Sequence, residues 1–173
     1  MISDETLMLE FQAGSREVFE ELFARYREPL YGFFRRRLDS SERAEDLTQE
    51  TFLAVIRGAS RYEPRALVRT YLYGIALKMV AAERRKQSRN ALPQPDAVRV
   101  APEEALWVRQ ALGRLDPAER EILMLREFEQ LSYAEISELL RLPVNTVRSR
   151  LFRSRLALKA YLDAEVARSG EEA

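Results

Sequence analysis

Four arginines, Arg148, Arg150, Arg153 and Arg155, take outward positions in a stretch whose inward positions are Val147 and Leu151. From Arg141 to Lys159 the chain has six basic residues and no acidic one, a charge of +6. Arginine pairs with guanine at two points in a major groove, and serine and threonine bond bases or phosphates. The chemistry on offer is therefore recognition of a polyanion. A helix built only for stability mixes charge signs for salt-bridge support, whereas a self-repelling basic helix makes sense when phosphates supply the counter-charge. A second basic run extends from Arg57 to Arg89, with nine basic and two acidic residues, hence +7. Asp116 to Glu138 has seven acidic and two basic residues, hence −5. The net charge of zero thus hides a strong segregation, and a basic patch matters more than the total. Ordinary solvated helix faces are the competing explanation of each run.

Catalytic chemistry is poorly supplied. The chain has no Cys and no His, which excludes a disulfide framework, thiol chemistry, structural zinc and imidazole catalysis. Carboxylate pairs such as Glu45 and Asp46 suit acid–base work in principle, but no Gly-rich phosphate loop or metal-ligand cluster accompanies them. Neither an enzyme activity nor a metal or other cofactor is expected. No stretch approaches the ~18 apolar residues of a membrane span, and MISDETLMLE lacks the basic-then-apolar layout of a signal peptide. A cytoplasmic protein without membrane insertion is the expectation.

Helices must position these residues. Gly and Pro are scarce, Leu, Ala, Glu and Arg dominate, and no segment alternates as a strand does. Ser3 and Asp4 can cap a first helix ending near Gly14, and Ser15 the next. Val18, Phe19, Leu22, Phe23 and Tyr26 recur at helical spacing, and Leu30, Phe33 and Phe34 continue the stripe beyond Pro29, which is expected to kink or interrupt it. Ser41 opens a third helix with Ala44, Leu47, Leu53 and Ile56 as inward candidates. A loop from Gly58 to about Ala66 precedes a helix from roughly Leu67 to Lys86. QSRNALPQPDAVRVA, with two prolines and no period, reads as a linker. Beyond it, Pro102 suits the first turn of a helix ending near Gly113, and Asp116 with Pro117 starts another. A short helix from about Ser132 to Leu140, a corner at Leu142 and Pro143, and a long helix to about Asp163 complete the chain. The short helix, tight turn and Arg-rich second helix have the form that enters a major groove, with Asn145, Thr146, Arg148 and Ser149 on its first turns. An ordinary helical hairpin is the alternative. The expected fold is all-α: a helical domain over 1–87, a flexible linker over 88–101, and a helix-turn-helix (winged-helix-like) domain over 102–173.

YAEISELLRLPVNTVRSRLFRSR resembles the promoter-reading helix-turn-helix of bacterial sigma factors, in particular the extracytoplasmic-function group, and ALGRLDPAEREILMLREFEQLS resembles the lead-in of that domain. FEELFARYREPLYGFFRRRL and AEDLTQETFLAVIR resemble the family's core-polymerase-binding part. RYEPRALVRTYLYGIALKMVAAERRK resembles its promoter-melting segment. These motifs stand in family order across nearly the whole chain.

The resemblance implies a transcription initiation subunit that binds core RNA polymerase, at the clamp of the beta-prime subunit and the flap of the beta subunit, and that reads promoter DNA. It places Glu45, Asp46, Gln49 and Glu50 on the polymerase. It assigns the loop from Gly58 to Arg69 to capture of a flipped base of the −10 element, with Tyr62 as a stacking face and Arg61, Arg65 and Arg69 as phosphate contacts. Lys78, Arg84 and Arg85 would hold backbone. Tyr71 is the better candidate for the core, and for Tyr62 both roles stay open. The −35 readers would be Arg148, Ser149, Phe152 and Arg153, with Asn145 and Thr146 near the helix start. Phe152 suits either a core position or a thymine methyl. An anti-sigma factor is an implied partner. The family often has Trp at Tyr71, Asn at Lys78 and Asp at Ala82. Its usual turn glycine is Arg141 here, so the corner is expected to form without easy access to positive φ. A stand-alone helix-turn-helix regulator on palindromic DNA is the alternative function. It leaves AEDLTQETF and the basic aromatic loop without a role.

Overall fold

The computed structural model describes residues 1–90 and 106–171, which are helical with no strand among them. The chain divides into two compact units, Met1–Gln94 and Pro95–Ala173. Residues 91–101 of the expected linker lie outside the described residues, as does Pro102.

The first unit is built from α1 (Asp4–Gln12), α2 (Glu17–Arg37), α3 (Ser41–Gly58) and α4 (Val68–Asn90). Ser3 caps α1 by accepting from the Thr6 N–H at 3.1 Å, and Gly14 leaves the helix at φ 106, a value glycine reaches without strain. α2 begins without the expected Ser15 cap. It also runs unbroken through Pro29. A proline inside a helix costs roughly 3 kcal/mol through a lost bond and a clash. Here Pro29 is exposed, so water can serve the orphaned carbonyl. Meanwhile Leu22, Tyr26, Leu30, Phe33 and Phe34 are all buried along one stripe. Burying each large apolar side chain contributes roughly 1.5–3 kcal/mol, which outweighs the local defect.

Ser40, one residue before the expected cap, holds the start of α3 through the Arg43 N–H. The helix buries Ala44, Leu47, Thr48, Thr51, Phe52 and Val55. At about 100° per residue these six fill one face. Leu53 and Ile56, expected inward, therefore point out, at 47% and 44% exposure. α4 buries Val68, Leu72, Tyr73, Ala76 and Val80 and continues to Asn90, into the stretch expected as linker. α2 packs on α1, α3 and α4.

The second unit holds α5 (Leu106–Gly113), α6 (Pro117–Glu127), α7 (Tyr133–Leu140) and α8 (Val144–Glu171). Asp116 caps α6 through the Ala118 N–H at 3.1 Å, with Pro117 at the first position. Ser132 and Glu135 form a reciprocal capping box on α7, satisfying two orphan donors at once. Leu115, Ile122, Leu125, Leu131, Ile136, Val147 and Leu151 make the core, while Ala134 of α7 is exposed. α8 packs on α5, α6 and α7 and outlasts its expected end.

The α7–α8 corner departs most from expectation. Arg141 takes φ 54 and ψ 45, the left-handed region. Its N–H reaches the Glu138 carbonyl at 3.4 Å, and the Leu142 N–H reaches that of Ser137 at 3.0 Å. This is the Schellman pattern, in which a left-handed residue lets two backbone donors satisfy the last helical carbonyls. The Ser137 hydroxyl also donates to the Leu142 carbonyl at 2.5 Å. The turn thus uses positive φ although it has no glycine.

Candidate nucleic-acid and polymerase interfaces

On α8 the helical period gathers Asn145, Arg148, Ser149 and Phe152 into one exposed stripe, with Arg153 on its flank. Thr146 is half-buried. Phe152 is 64% exposed, so it is not a core residue here, and Leu156 extends the stripe at 53%. The Ser149 hydroxyl donates to the Asn145 carbonyl at 2.6 Å, which leaves its lone pairs facing solvent. The arginines divide into two sets. Arg155 is fastened to Glu127 of α6 at 2.7 Å, and that hydrogen bond raises its pKa. Arg153 lies 3.9 Å from Glu119 yet stays 63% exposed. The Arg148 guanidinium is exposed, without an ion pair among the described residues. One face of the helix is therefore spent on holding α6, and the other is left with cations, an aromatic ring and small polar groups aimed at solvent.

The loop between α3 and α4 opens with a short 3-10 turn, Ala59–Arg61. Arg61 and Arg65 are exposed, and Arg69 is half-buried. Arg65 pairs loosely with Glu63 at 3.5 Å, both side chains well exposed, a geometry worth little in water. Tyr62 is only 6% exposed. Its hydroxyl donates to the Ala66 carbonyl at 2.6 Å, and its ring lies 5.3 Å from that of half-buried Tyr71. Burial raises the pKa of both phenols, with Glu5 adding to the rise at Tyr62 and Arg61 opposing it at Tyr71. In this arrangement Tyr62 braces the loop from inside, and no stacking face is open. A Cβ at Gly58 would sit 2.8 Å from the Tyr71 hydroxyl, so glycine at this position lets the Tyr71 ring close over the loop. On α4, Lys78, Arg84 and Arg85 are all exposed. Lys78, Arg85 and Arg89 share a face at helical spacing, while Arg84 lies roughly 120° round the helix.

Glu45, Asp46, Gln49 and Glu50 are all exposed on α3, but in two sets. Asp46 and Glu50 flank Arg43, at 3.9 and 3.2 Å. Arg43 also forms a two-point bond with Glu83 of α4, with distances of 3.0 Å. This Arg43–Glu83 link ties α3 to α4. Glu45 and Gln49 instead border a groove of about 300 Å³ between α2 and α3, walled by Phe23, Arg27 and Tyr31. Phe23 is 36% exposed there. Leu53 and Ile56 continue the outward face of Glu45 and Gln49 along α3, giving an acidic start and an apolar end. Hydrophobicity alone places these two inward, where the structure does not. The available signal was a surplus: Leu47, Phe52 and Val55 already fill the inward stripe of α3. Among the described residues no group of acidic side chains is arranged to hold a metal, and no helix is long and apolar enough to cross a membrane.

Comparison with known proteins covers both units. The family model described as Sigma-70 region 2 matches residues 22–90, and the one described as Sigma-70, region 4 matches residues 105–158. The chain is 33% identical to the RNA polymerase sigma factor CarQ of Myxococcus xanthus, over 93% of this chain and 100% of that one. It is 30% identical to the ECF RNA polymerase sigma factor SigM of Mycobacterium tuberculosis, over 92% and 85%. Among solved structures, CnrH in complex with the cytosolic domain of CnrY matches with a TM-score of 0.72 at 27% identity, over 93% and 97% of the two chains. The sigma factor RpoE in complex with the anti-sigma factor NepR, from Bartonella quintana, shares the fold with a TM-score of 0.70 at 21% identity, over 84% and 96%.

Proposed function

The chain belongs to the extracytoplasmic-function group of the sigma-70 family, and from that premise we propose how its surfaces divide the work of a sigma factor. The protein is an RNA polymerase sigma factor: it joins core polymerase, recognises −10 and −35 promoter elements and helps open the promoter. As a transcription initiation factor it contributes binding energy to polymerase, and the nucleotide chemistry belongs to polymerase. In this reading residues 1–87 carry core and −10 binding, 88–101 link, and 102–173 carry −35 binding.

The observation that carries the assignment is the divided use of α8. Arg155 is engaged by Glu127 at the surface, while Arg148, Ser149, Phe152 and Arg153 line one exposed side, with Arg148 in no ion pair among the described residues. Guanidinium groups there reach guanine edges and phosphates, and the Phe152 ring meets a thymine methyl or sugar. Asn145 and Thr146 sit at the helix N-terminus, where backbone amides favour a phosphate. In the first unit, Arg61, Arg65, Arg69, Lys78, Arg84 and Arg85 supply backbone contacts for the −10 region. A flipped base is then received on the exposed outer side of the loop, which the buried Tyr62 braces against Tyr71 from within. Glu45 and Gln49, with Phe23, Leu53 and Ile56, meet a basic and apolar helical surface on the clamp of the beta-prime subunit. The flap of the beta subunit engages the second unit. Sigma-factor complexes such as that of RpoE with NepR support an anti-sigma factor as a further partner, and the absence of a membrane-spanning helix among the described residues is consistent with a cytoplasmic site of action.

Run-off transcription with purified core polymerase, the protein and a pool of genomic promoter fragments tests the reading. Transcripts that need the protein, and that share two elements at fixed spacing, are the expected result. No transcripts and no core binding, alongside tight binding to a palindromic duplex, would favour a stand-alone regulator.

A further inference from the structure

The loop assigned to base capture owes its shape to a helix far away in sequence. Gln12, at the end of α1, donates both amide hydrogens into it: to the Ala59 carbonyl at 2.5 Å and to the Tyr62 carbonyl at 2.7 Å. A primary amide has two such donors, and here each meets a backbone carbonyl of the loop. Glu5, at the start of α1, accepts from the Val68 N–H at 3.1 Å, the first residue of α4. A carboxylate at that place satisfies an orphan donor and complements the positive end of the helix. Between these two fasteners the loop has short-range bonds, Tyr62 to Ala59 and to Ala66, and Ala66 to Glu63 at a long 3.4 Å. Its outer side chains, Arg61, Glu63, Pro64 and Arg65, are all exposed. α1 thus grips the loop at both ends and leaves its crown free.

The geometry points to Gln12 and Glu5 as positioning residues for −10 recognition: α1 presets the loop backbone, so that a flipped base meets a crown already held in one shape, and the ordering entropy is met on folding and not on binding. The inference rests on the assignment of this loop to base capture. Neither residue belongs to α3, which carries the surface assigned to core polymerase, or to α8, which carries the one assigned to the −35 element, so their effect should be confined to one step.

The variants are Gln12→Glu, Glu5→Ala and Glu5→Gln. Gln12→Glu is nearly isosteric but turns two donors into acceptors facing two carbonyls. Glu5→Gln keeps an acceptor for Val68 and serves as the conservative rescue. Each holoenzyme is titrated with a fluorescent single-stranded oligonucleotide covering the non-template −10 region of a promoter that the wild type transcribes, with a scrambled strand alongside. Affinity for core polymerase and for a −35 duplex is measured in parallel, and amide hydrogen exchange reports the loop directly. In Gln12→Glu and Glu5→Ala, affinity for the −10 strand should fall on the order of ten-fold, with faster exchange across 59–68. Core and −35 binding should stay at wild-type values, and Glu5→Gln should remain close to wild type. Unchanged exchange and unchanged −10 binding in Gln12→Glu would overturn the positioning role while leaving the loop's assignment standing. An equal loss of core binding would also overturn it, as a general folding defect. If exchange quickens but the wild-type holoenzyme itself fails to prefer the −10 strand over the scrambled one, the assignment of the loop falls and the inference with it.

Discussion

The two surfaces we assign to DNA are fixed in different ways. The entry into the α8 stripe is shaped by near neighbours: the Ser132–Glu135 capping box, the Ser137–Leu142 bond and the left-handed turn at Arg141 all lie just ahead of the helix in sequence, although α8 also packs on α5 and α6. The α3–α4 loop is held by Gln12 and Glu5, across 47 to 63 residues of sequence. The stripe is a rigid helix face, ready before DNA arrives. The loop is a surface segment whose shape depends on the rest of its unit, with Tyr62 turned inward. One suits reading of an intact groove, and the other suits a base that must first leave the duplex and then meets a loop that α1 has already fastened. The difference teaches that the corner leading into the helix assigned to duplex is shaped locally, while the loop assigned to melted strand takes its shape from tertiary contacts.

The sharpest way to break this comparison is to remove the stripe. Arg148→Ala combined with Arg153→Ala should lower affinity for a −35 duplex on the order of 100-fold, since each two-point arginine–guanine contact is worth about 1–3 kcal/mol. Core polymerase affinity and −10 strand binding should stay put. Fluorescence titration of each ligand separates the three, and a parallel loss of core binding would refute the division between units. A smaller effect is expected at the exposed apolar end of α3. Leu53→Ser with Ile56→Ser should weaken core binding by roughly ten-fold, as truncation of apolar interface anchors does. The melting temperature should hardly move, because both side chains already face solvent. A large drop in melting temperature would return these residues to the core.

Alkaline pH probes the packing behind the loop. Burial, and next the short bond to Asp4, push the pKa of Tyr26 well above its usual value. The folded unit therefore keeps a proton that the unfolded chain releases above about pH 10. Stability from this group is complete below that pH and declines as pH rises beyond it. Urea midpoints measured from pH 8 to about pH 11 should fall, and Tyr26→Phe should flatten the fall while costing some stability at neutral pH. A slope unchanged in Tyr26→Phe would assign the effect to other groups.

What could be read from sequence follows the same local-versus-tertiary line. The capping residues Ser132 and Asp116, the inward pair Val147 and Leu151, and the basic face of α8 are all encoded within a few turns of helix, where period and cap chemistry suffice. Pro29 misled because a local rule was overridden by the buried stripe of Leu30, Phe33 and Phe34. Leu53 and Ile56 misled because hydrophobicity alone does not tell a core face from a docking face; only the crowding of α3's inward stripe does. Tyr62 was undecided because its fate depends on Tyr71 and on Gln12, whose approach no short-range pattern announces.

The smallest effect is expected at Arg141, and it bears on the claim that the corner leading into α8 is shaped locally. A non-glycine residue in the left-handed region suffers a clash between Cβ and the following carbonyl oxygen of roughly 1–2 kcal/mol. Glycine removes that clash but has more freedom to lose on folding, by roughly 0.5–1 kcal/mol. Arg141→Gly should therefore stabilise the helix-turn-helix unit by about 0.5–1 kcal/mol, read as a higher urea midpoint with an unchanged slope. The Schellman bonds from residues 141 and 142 use backbone donors only, so they survive the substitution and the entry angle of α8 is kept. Recognition of the −35 duplex should then persist while stability rises. A stability loss would mean that the Arg141 side chain, and not the turn alone, holds the corner. A gain in stability joined to altered −35 selectivity would mean that the corner's strain helps to aim α8, and that even this surface is less local than its sequence suggests.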